Sequence, residues 1–156
     1  MRVRVIAVGT RLPAWVRTAC DEYLGRLDAA LGVTLTEIPP GARSAAGSAA
    51  RAVAEEGRRL LATLRPAEHV AALDERGAQL TTRELAAWLK ERMREGDDLA
   101  FLIGGPDGFA PEVRARSNFT LALSRLTLPH ALARVLLAEQ LYRAHSILIN
   151  HPYHRD

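Results

Sequence analysis

Two patterns of hydrophobic residues alternate along the chain: short continuous runs, and residues spaced three and four positions apart. Short apolar or β-branched runs predict five strands, at Val3 to Val8, Val33 to Ile38, His69 to Leu73, Leu99 to Ile103 and Thr120 to Leu126. Between the strands, apolar residues recur three and four positions apart and predict helices near Pro13 to Leu27, Ala49 to Leu64, Thr81 to Arg94, Pro111 onward and Ala131 to Ile149. This alternation predicts an α/β fold, a parallel sheet flanked by helices on both faces.

Several local patterns refine this outline. The run from Leu99 to Ile103 has no polar position, which predicts a central strand buried on both faces. Thr81 and Glu84 form a capping-box pattern, and residues 74–77 and 41–48 predict a turn and a mobile loop. The first helix is predicted to bury one apolar face, made of Leu12, Trp15, Val16, Ala19, Cys20, Tyr23, Leu24 and Leu27.

Composition limits the class of protein. The 156 residues, 48% hydrophobic and 25% charged, predict one globular domain over residues 1–156. The sequence has no apolar run near the roughly 20 residues of a membrane helix and no signal-peptide pattern, which favours a cytoplasmic protein without a membrane partner. The single cysteine, Cys20, fits a reducing compartment and is interpreted as a core thiol. The net charge of +3 is mild, and Lys90 is the only lysine among the basic residues. That arginine excess suits RNA contacts or simply reflects GC-rich codon usage.

Two segments follow predicted strands and are candidate ligand loops. Residues 104–108, Gly-Gly-Pro-Asp-Gly, come directly after the buried strand, where glycine lets a ligand approach the backbone. The alternative is a tight turn. In residues 124–130, Leu126 and Leu128 occupy a loop where polar residues are usual. They either hold a flat adenine or pack under the last helix.

Four of the five histidines lie at or after residue 130, at spacings that fit no zinc site, so no metal is predicted. His145 is interpreted as structural. The tail around Tyr153, His154 and Arg155 is rich in functional side chains, although such tails are often solvated.

Taken together, these segments carry a recognisable set of motifs. They occur in order along the chain as Val8-Gly9-Thr10, Glu22-Tyr23, Glu37-Ile38-Pro39, Leu73-Asp74, Ile103-Gly104-Gly105-Pro106-Asp107-Gly108, Leu126-Thr127-Leu128-Pro129-His130, Glu139-Gln140-Leu141-Tyr142-Arg143-Ala144 and Pro152-Tyr153-His154-Arg155. With them the chain resembles, over its whole length, the ribosomal RNA large-subunit methyltransferase H family of the SPOUT class.

The resemblance implies an α/β fold with a C-terminal trefoil knot, a homodimer, and S-adenosylmethionine as cofactor. It also implies methylation of N3 of a pseudouridine in 23S rRNA, on the assembled ribosome. The implied cofactor-binding residues are Leu73, Gly105, Ser124, Arg125, Leu126, Thr127, Leu128 and Pro129. The implied substrate-binding residues are His130, Tyr153, His154 and Arg155. Of these, the three tail residues are implied to reach the RNA or the partner's pocket. The catalytic candidates are His154 and Arg155.

The sequence departs from the family at two places. Family members often carry lysines after the second strand and after the Leu-Asp-x-x-Gly segment, where this chain has residues 41–47 without lysine, and Ala78. Both differences remove lysines that could contact RNA. Two alternative functions remain. The first is a non-catalytic ribosomal RNA-binding protein with the same fold, and the cofactor loops argue against it. The second is an unrelated nucleotide-binding domain, and the lack of a phosphate loop argues against it.

Overall fold

The computed structural model describes residues 1–43 and 49–155. Most of the alanine-rich segment predicted to be a mobile loop, residues 44–48, lies outside the described residues. The strands are β1 (Val3–Val8), β2 (Thr34–Ile38), β3 (His69–Gln79), β4 (Leu99–Ile103) and β5 (Phe119–Ala122). The helices are α1 (Ala14–Leu31), α2 (Ala49–Thr63), α3 (Thr82–Glu95), α4 (Pro111–Arg116) and α5 (His130–Leu148).

The strands form one sheet in the order β2-β1-β4-β3-β5, and every neighbouring pair is parallel. The central strand is β4, all five residues of which are buried. The predicted parallel sheet and its buried central strand are therefore confirmed.

Alternate residues of β1, β3 and β4 supply two separate cores. Val3 and Val5 of β1 pack toward α1, α3 and α5, whereas Ile6 and Val8 pack toward α2 and α4. Burying side chains of this size contributes roughly 1.5–3 kcal/mol each, so both helix layers are held to the sheet by apolar contact. No helix in the described part of the chain is long and apolar enough to span a membrane.

The structure corrects the predicted end of β3. The predicted turn at residues 74–77 does not end the strand, because Ala78 and Gln79 pair again with β5. Leu73 and Ala78 are both opposite Leu121, so the four residues between them bulge out of the ladder. The predicted turn is therefore wrong, since residues 74–77 form a bulge within a longer strand.

Two further predictions are wrong in detail. The strand β5 ends at Ala122 instead of Leu126, and the residues after it form a loop. Trp15 is 56% exposed although it was placed on the apolar face of the first helix. It lies in the first turn of α1, while Val16 and Cys20 of the same face are buried.

The predicted capping box starts α3. The backbone N–H of Glu84 donates to Thr81 Oγ1 at 3.2 Å, and the backbone N–H of Thr81 donates to Glu84 Oε2 at 2.7 Å. We expect Thr81→Ala to lower the free energy of unfolding by about 1 kcal/mol, since it removes one of these bonds. Urea denaturation measures the loss, and Thr81→Ser, which keeps the hydroxyl, is the control. Equal stability of both variants would contradict this role of the cap.

Candidate functional site

A cleft of about 400 Å³ opens at the carboxyl edge of β3, β4 and β5. Open α/β sheets bind ligands at this edge, where loops from neighbouring strands converge. Three chain segments form most of its wall: the bulge of β3, the glycine loop of residues 104–108, and the loop that follows β5. The residues predicted to bind a ligand that line it are Leu73, Gly105, Ser124, Leu126, Thr127, Leu128 and His130. Arg125 and Pro129 belong to the same loop but do not line the cleft.

The glycine loop is a tight turn packed closely against the residues behind it. The N–H of Gly108 donates to the carbonyl of Gly105 at 3.1 Å, and Gly108 has a left-handed φ of 79°. A Cβ on Gly105 would lie 3.0 Å from both carboxylate oxygens of Glu56 and 3.3 Å from Cγ1 of Val8. The interpretation of this loop as a tight turn is thus correct, and the same turn also forms part of the wall of the cleft. A side chain at position 105 would therefore crowd the residues behind the loop.

The loop after β5 presents apolar side chains to the cleft. Leu126 is 72% exposed, so it does not pack under the last helix as one interpretation of the sequence proposed. The hydroxyl of Ser124 accepts from the N–H of Leu126 at 2.9 Å, and the hydroxyl of Thr127 donates to Glu75 at 3.1 Å. These bonds fix the loop against the β3 bulge and leave an apolar wall suited to a flat ring.

Asp74 anchors the β3 bulge. Its carboxylate accepts from the backbone N–H of Arg76 at 2.9 Å and is ion-paired with Arg114 of α4. Burial raises the pKa of Asp74, but the two hydrogen bonds and the charge of Arg114 outweigh burial, so its pKa lies below the ordinary value. Both carboxylate oxygens are already engaged by the protein, which favours a structural role for Asp74.

The C-terminal tail folds back on α5. The Tyr153 hydroxyl donates to Glu139 Oε1 at 3.0 Å, and its ring centroid lies 4.5 Å from that of Tyr142. The guanidinium of Arg143 lies 4.8 Å from the centre of the Tyr153 ring and pairs with Glu139 at 2.6 Å. Glu139 and Arg143, which residue-by-residue analysis left without a role, therefore organise the tail. Their i, i+4 spacing of opposite charges was the available signal.

The tail does not line the cleft of its own protomer. None of Tyr153, His154 and Arg155 is among the lining residues, whereas His130, at the start of α5, is. Glu139, to which Tyr153 is tied, lies about 14 Å further along the helix at 1.5 Å per residue. The predicted cofactor residues and the predicted tail residues thus form two separate groups within one chain.

The contact between Tyr153 and Glu139 can be tested by titration. Burial and then the hydrogen bond to the Glu139 carboxylate raise the pKa of Tyr153 to about 12. Because the ordinary pKa of tyrosine is 10.0, this group contributes stability that is present below pH 10 and is lost as the pH rises through about 12. The difference in tyrosinate absorbance between wild type and Tyr153→Phe reports on Tyr153 alone, and we expect it to titrate near pH 12. We expect Glu139→Gln to make the rise in this pKa smaller without abolishing it. A midpoint near 10 would contradict the docked tail.

The remaining polar candidates are structural. His145 is buried, and burial lowers its pKa. Cys20 is buried, and burial raises the pKa of its thiol. Within residues 1–43 and 49–155, no group of three or more His, Cys, Asp or Glu side chains is placed to hold a metal ion.

Comparison with known proteins assigns a family to this arrangement. The family model described as "Predicted SPOUT methyltransferase" matches residues 1–154. The ribosomal RNA large subunit methyltransferase H of Thiobacillus denitrificans is 51% identical over 156 residues, covering the whole of both chains. The protein of the same name from Chromohalobacter salexigens is 49% identical over 155 residues, covering 99% of this chain and all of the relative.

Solved structures agree in fold. A protein described as a probable methyltransferase from Bordetella pertussis superposes with a TM-score of 0.57 at 20% identity, covering 92% of this chain and 95% of its own. Matches over the full length, at this level of identity to the relatives, leave no part of the cleft or the tail outside the comparison. The chain therefore belongs to the SPOUT methyltransferase family and, within it, to the ribosomal RNA large subunit methyltransferase H group.

Proposed function

We propose that this protein transfers a methyl group from S-adenosylmethionine to N3 of a pseudouridine in 23S rRNA, on the assembled ribosome and as a homodimer. The cleft carries the proposal, because it brings six of the eight implied cofactor residues together at one sheet edge. The names of the relatives support an rRNA substrate from the large subunit. A protein acting on ribosomes works in the cytoplasm.

The cleft fits such a cofactor in size and chemistry. Its volume of about 400 Å³ lies within the range of small-molecule sites, roughly 300–1,000 Å³. Leu126 and Leu128 supply apolar contact for a flat ring, and the close-packed backbone at Gly105 supplies a wall that a ligand can approach. When bound, S-adenosylmethionine supplies an electrophilic methyl group on a sulfonium. Leu73, Gly105 and the loop from Ser124 to Pro129 would hold it.

The protein must also manage a proton. N3 of pseudouridine carries a proton, which has to leave before the nitrogen can attack. His154 or His130 can accept this proton, because a neutral imidazole has a nitrogen that acts as a base. Arg155 can stabilise the negative charge that develops on the base. Tyr153 is unsuited to accepting the proton, since its hydroxyl donates to Glu139 and its pKa is about 12.

Separation of the tail from its own cleft supports a dimer in which each tail serves the partner's cleft. Partly exposed apolar side chains on α5, Leu132 and Leu136, lie one turn apart and suit a symmetric contact. Leu141 of the same helix is fully buried within the protomer and is unavailable for such a contact. Light scattering is expected to give twice the 17.1 kDa monomer mass at micromolar concentration.

Methyl transfer from labelled S-adenosylmethionine tests the function. We expect label to enter assembled ribosomes, and nucleoside mass analysis to find it as 3-methylpseudouridine in 23S rRNA. Ribosomes from cells lacking the protein are the substrate, because their target is unmodified. Label on free 23S rRNA but not on ribosomes would contradict action on the assembled particle. Binding to ribosomes without any transfer would favour the non-catalytic RNA-binding alternative.

A further inference from the structure

A buried carboxylate lies directly behind the glycine loop. Glu56 of α2 is 2% exposed, and both of its carboxylate oxygens lie 3.0 Å from the position of a Cβ on Gly105. Burying a carboxylate is unfavourable unless it is paired, and an apolar side chain of similar size would fill the same space. Packing alone therefore does not explain a charge at this position.

Arg43 connects this carboxylate to the glycine loop itself. Its Nη2 donates to the two oxygens of Glu56 at 2.9 and 3.3 Å, and its Nε donates to Asp107 Oδ2 at 2.9 Å. Asp107 belongs to the glycine loop and lines the cleft. A planar guanidinium can hold two carboxylates in fixed directions, which a lysine ammonium cannot do as well. The two hydrogen bonds raise the pKa of Arg43.

We propose that Glu56 and Arg43 are positioning residues for the methyl-donor site. Glu56 supports the backbone of Gly105 from behind, and Arg43 holds the loop down through Asp107. A loop fixed before the ligand arrives does not have to be ordered on binding, and affinity is higher for that reason. This role rests on the proposed function in one respect, that the ligand of the cleft is S-adenosylmethionine.

Two variants break the link between Arg43 and the glycine loop, and Asp107→Asn separates positioning from folding because it leaves the pair of Arg43 and Glu56 in place. Asp107 is 43% exposed, so Asp107→Asn removes the charge of the anchor without opening the core. Arg43→Met removes the connection while keeping an unbranched side chain. We expect each to weaken S-adenosylmethionine binding on the order of 10-fold in calorimetry, because a charge-assisted pair is lost. The double variant should bind no more weakly than Arg43→Met alone, because both changes break one link.

Hydrogen exchange of the ligand-free protein gives a readout that does not depend on any cofactor. We expect the amides of residues 104–108 to exchange faster in Asp107→Asn and Arg43→Met than in wild type, while those of β4 stay unchanged. The matched control is Arg58→Met, which removes an exposed arginine from α2, the helix that carries Glu56. It should leave both exchange and binding unaltered.

The outcomes distinguish this inference from the proposed function. A wild-type protein that does not bind S-adenosylmethionine, but whose loop exchanges faster in the variants, would contradict the proposed cofactor and support the positioning role. Wild-type binding together with unchanged affinity and exchange in both variants would overturn the positioning role alone. A similar effect of Arg58→Met would also overturn it, since the loss of an arginine that does not bind the glycine loop would then suffice.

Discussion

Deletion of residues 152–156 is expected to leave the fold and cofactor binding nearly intact and to remove most methyl transfer. Tyr153, His154 and Arg155 lie outside the cleft, so their loss takes no contact from the cofactor wall. If Arg155 faces developing charge on the base, Arg155→Ala alone should lower kcat about 30- to 1,000-fold, corresponding to about 2–4 kcal/mol. Steady-state methylation of assembled ribosomes, with calorimetry of the cofactor, measures both quantities.

Mixing two inactive proteins tests whether the tail works in the partner's cleft. One protein lacks residues 152–156 and keeps its cleft, and the other carries Gly105→Leu and keeps its tail. Random pairing should restore about one quarter of the wild-type sites, because half of the dimers are mixed and each has one complete site. A tail that serves its own protomer predicts no recovery.

Tyr153→Phe is the control for the docked tail, since it loses the bond to Glu139 but keeps the ring contact with Tyr142. Full turnover by the truncated protein would return the tail to a solvated role.

Local sequence patterns predicted the helices and strands well, because in most of these elements the residues that favour the local structure are also the residues that tertiary packing needs. The run from Leu99 to Ile103 is apolar throughout and is buried on both faces. Thr81 and Glu84 carry the whole of their capping box within four residues. The resumption of β3 at Ala78 depended instead on pairing with Leu121, more than 40 residues away. A distant contact of that kind leaves no local pattern.

The candidate site was predictable in part for the same reason. Glycines after a buried strand and apolar residues in a loop are local signals, and Gly105 and Leu126 do line the cleft. Glu56 left no such signal, because it sits in a charged stretch of α2 that resembles an exposed helix face. Its burial follows from where α2 meets the glycine loop. Family membership also implies a C-terminal trefoil knot, which no local pattern would select because knots are very rare.

Substitution of Gly105 has the second large expected effect, and the structure changes its physical explanation. Analysis of the sequence alone would attribute the loss to a side chain occupying the ligand's space. The Cβ instead meets the carboxylate of Glu56 and the side chain of Val8 behind the loop. Gly105→Ala should therefore displace the loop toward the cleft, and Gly105→Leu should abolish detectable binding of S-adenosylmethionine.

The two explanations differ in the ligand-free protein. If Gly105 only leaves room for the ligand, Gly105→Ala weakens binding and leaves the free energy of unfolding unchanged. If Glu56 is the obstacle, Gly105→Ala also lowers the free energy of unfolding, by about 1–3 kcal/mol as in other overpacked positions. Denaturant unfolding without cofactor decides between them, and we expect the second result.

A second-site variant sharpens the comparison. Glu56→Ala removes the atoms that the new Cβ would meet, so the double variant should be destabilised by less than the sum of its single changes. Gly25→Ala is the control for replacing glycine as such, since a Cβ at Gly25 meets nothing within 4 Å. Strict additivity of Gly105→Ala and Glu56→Ala would show that the two groups do not touch in solution. Gly105 would then be required by the ligand in front of it.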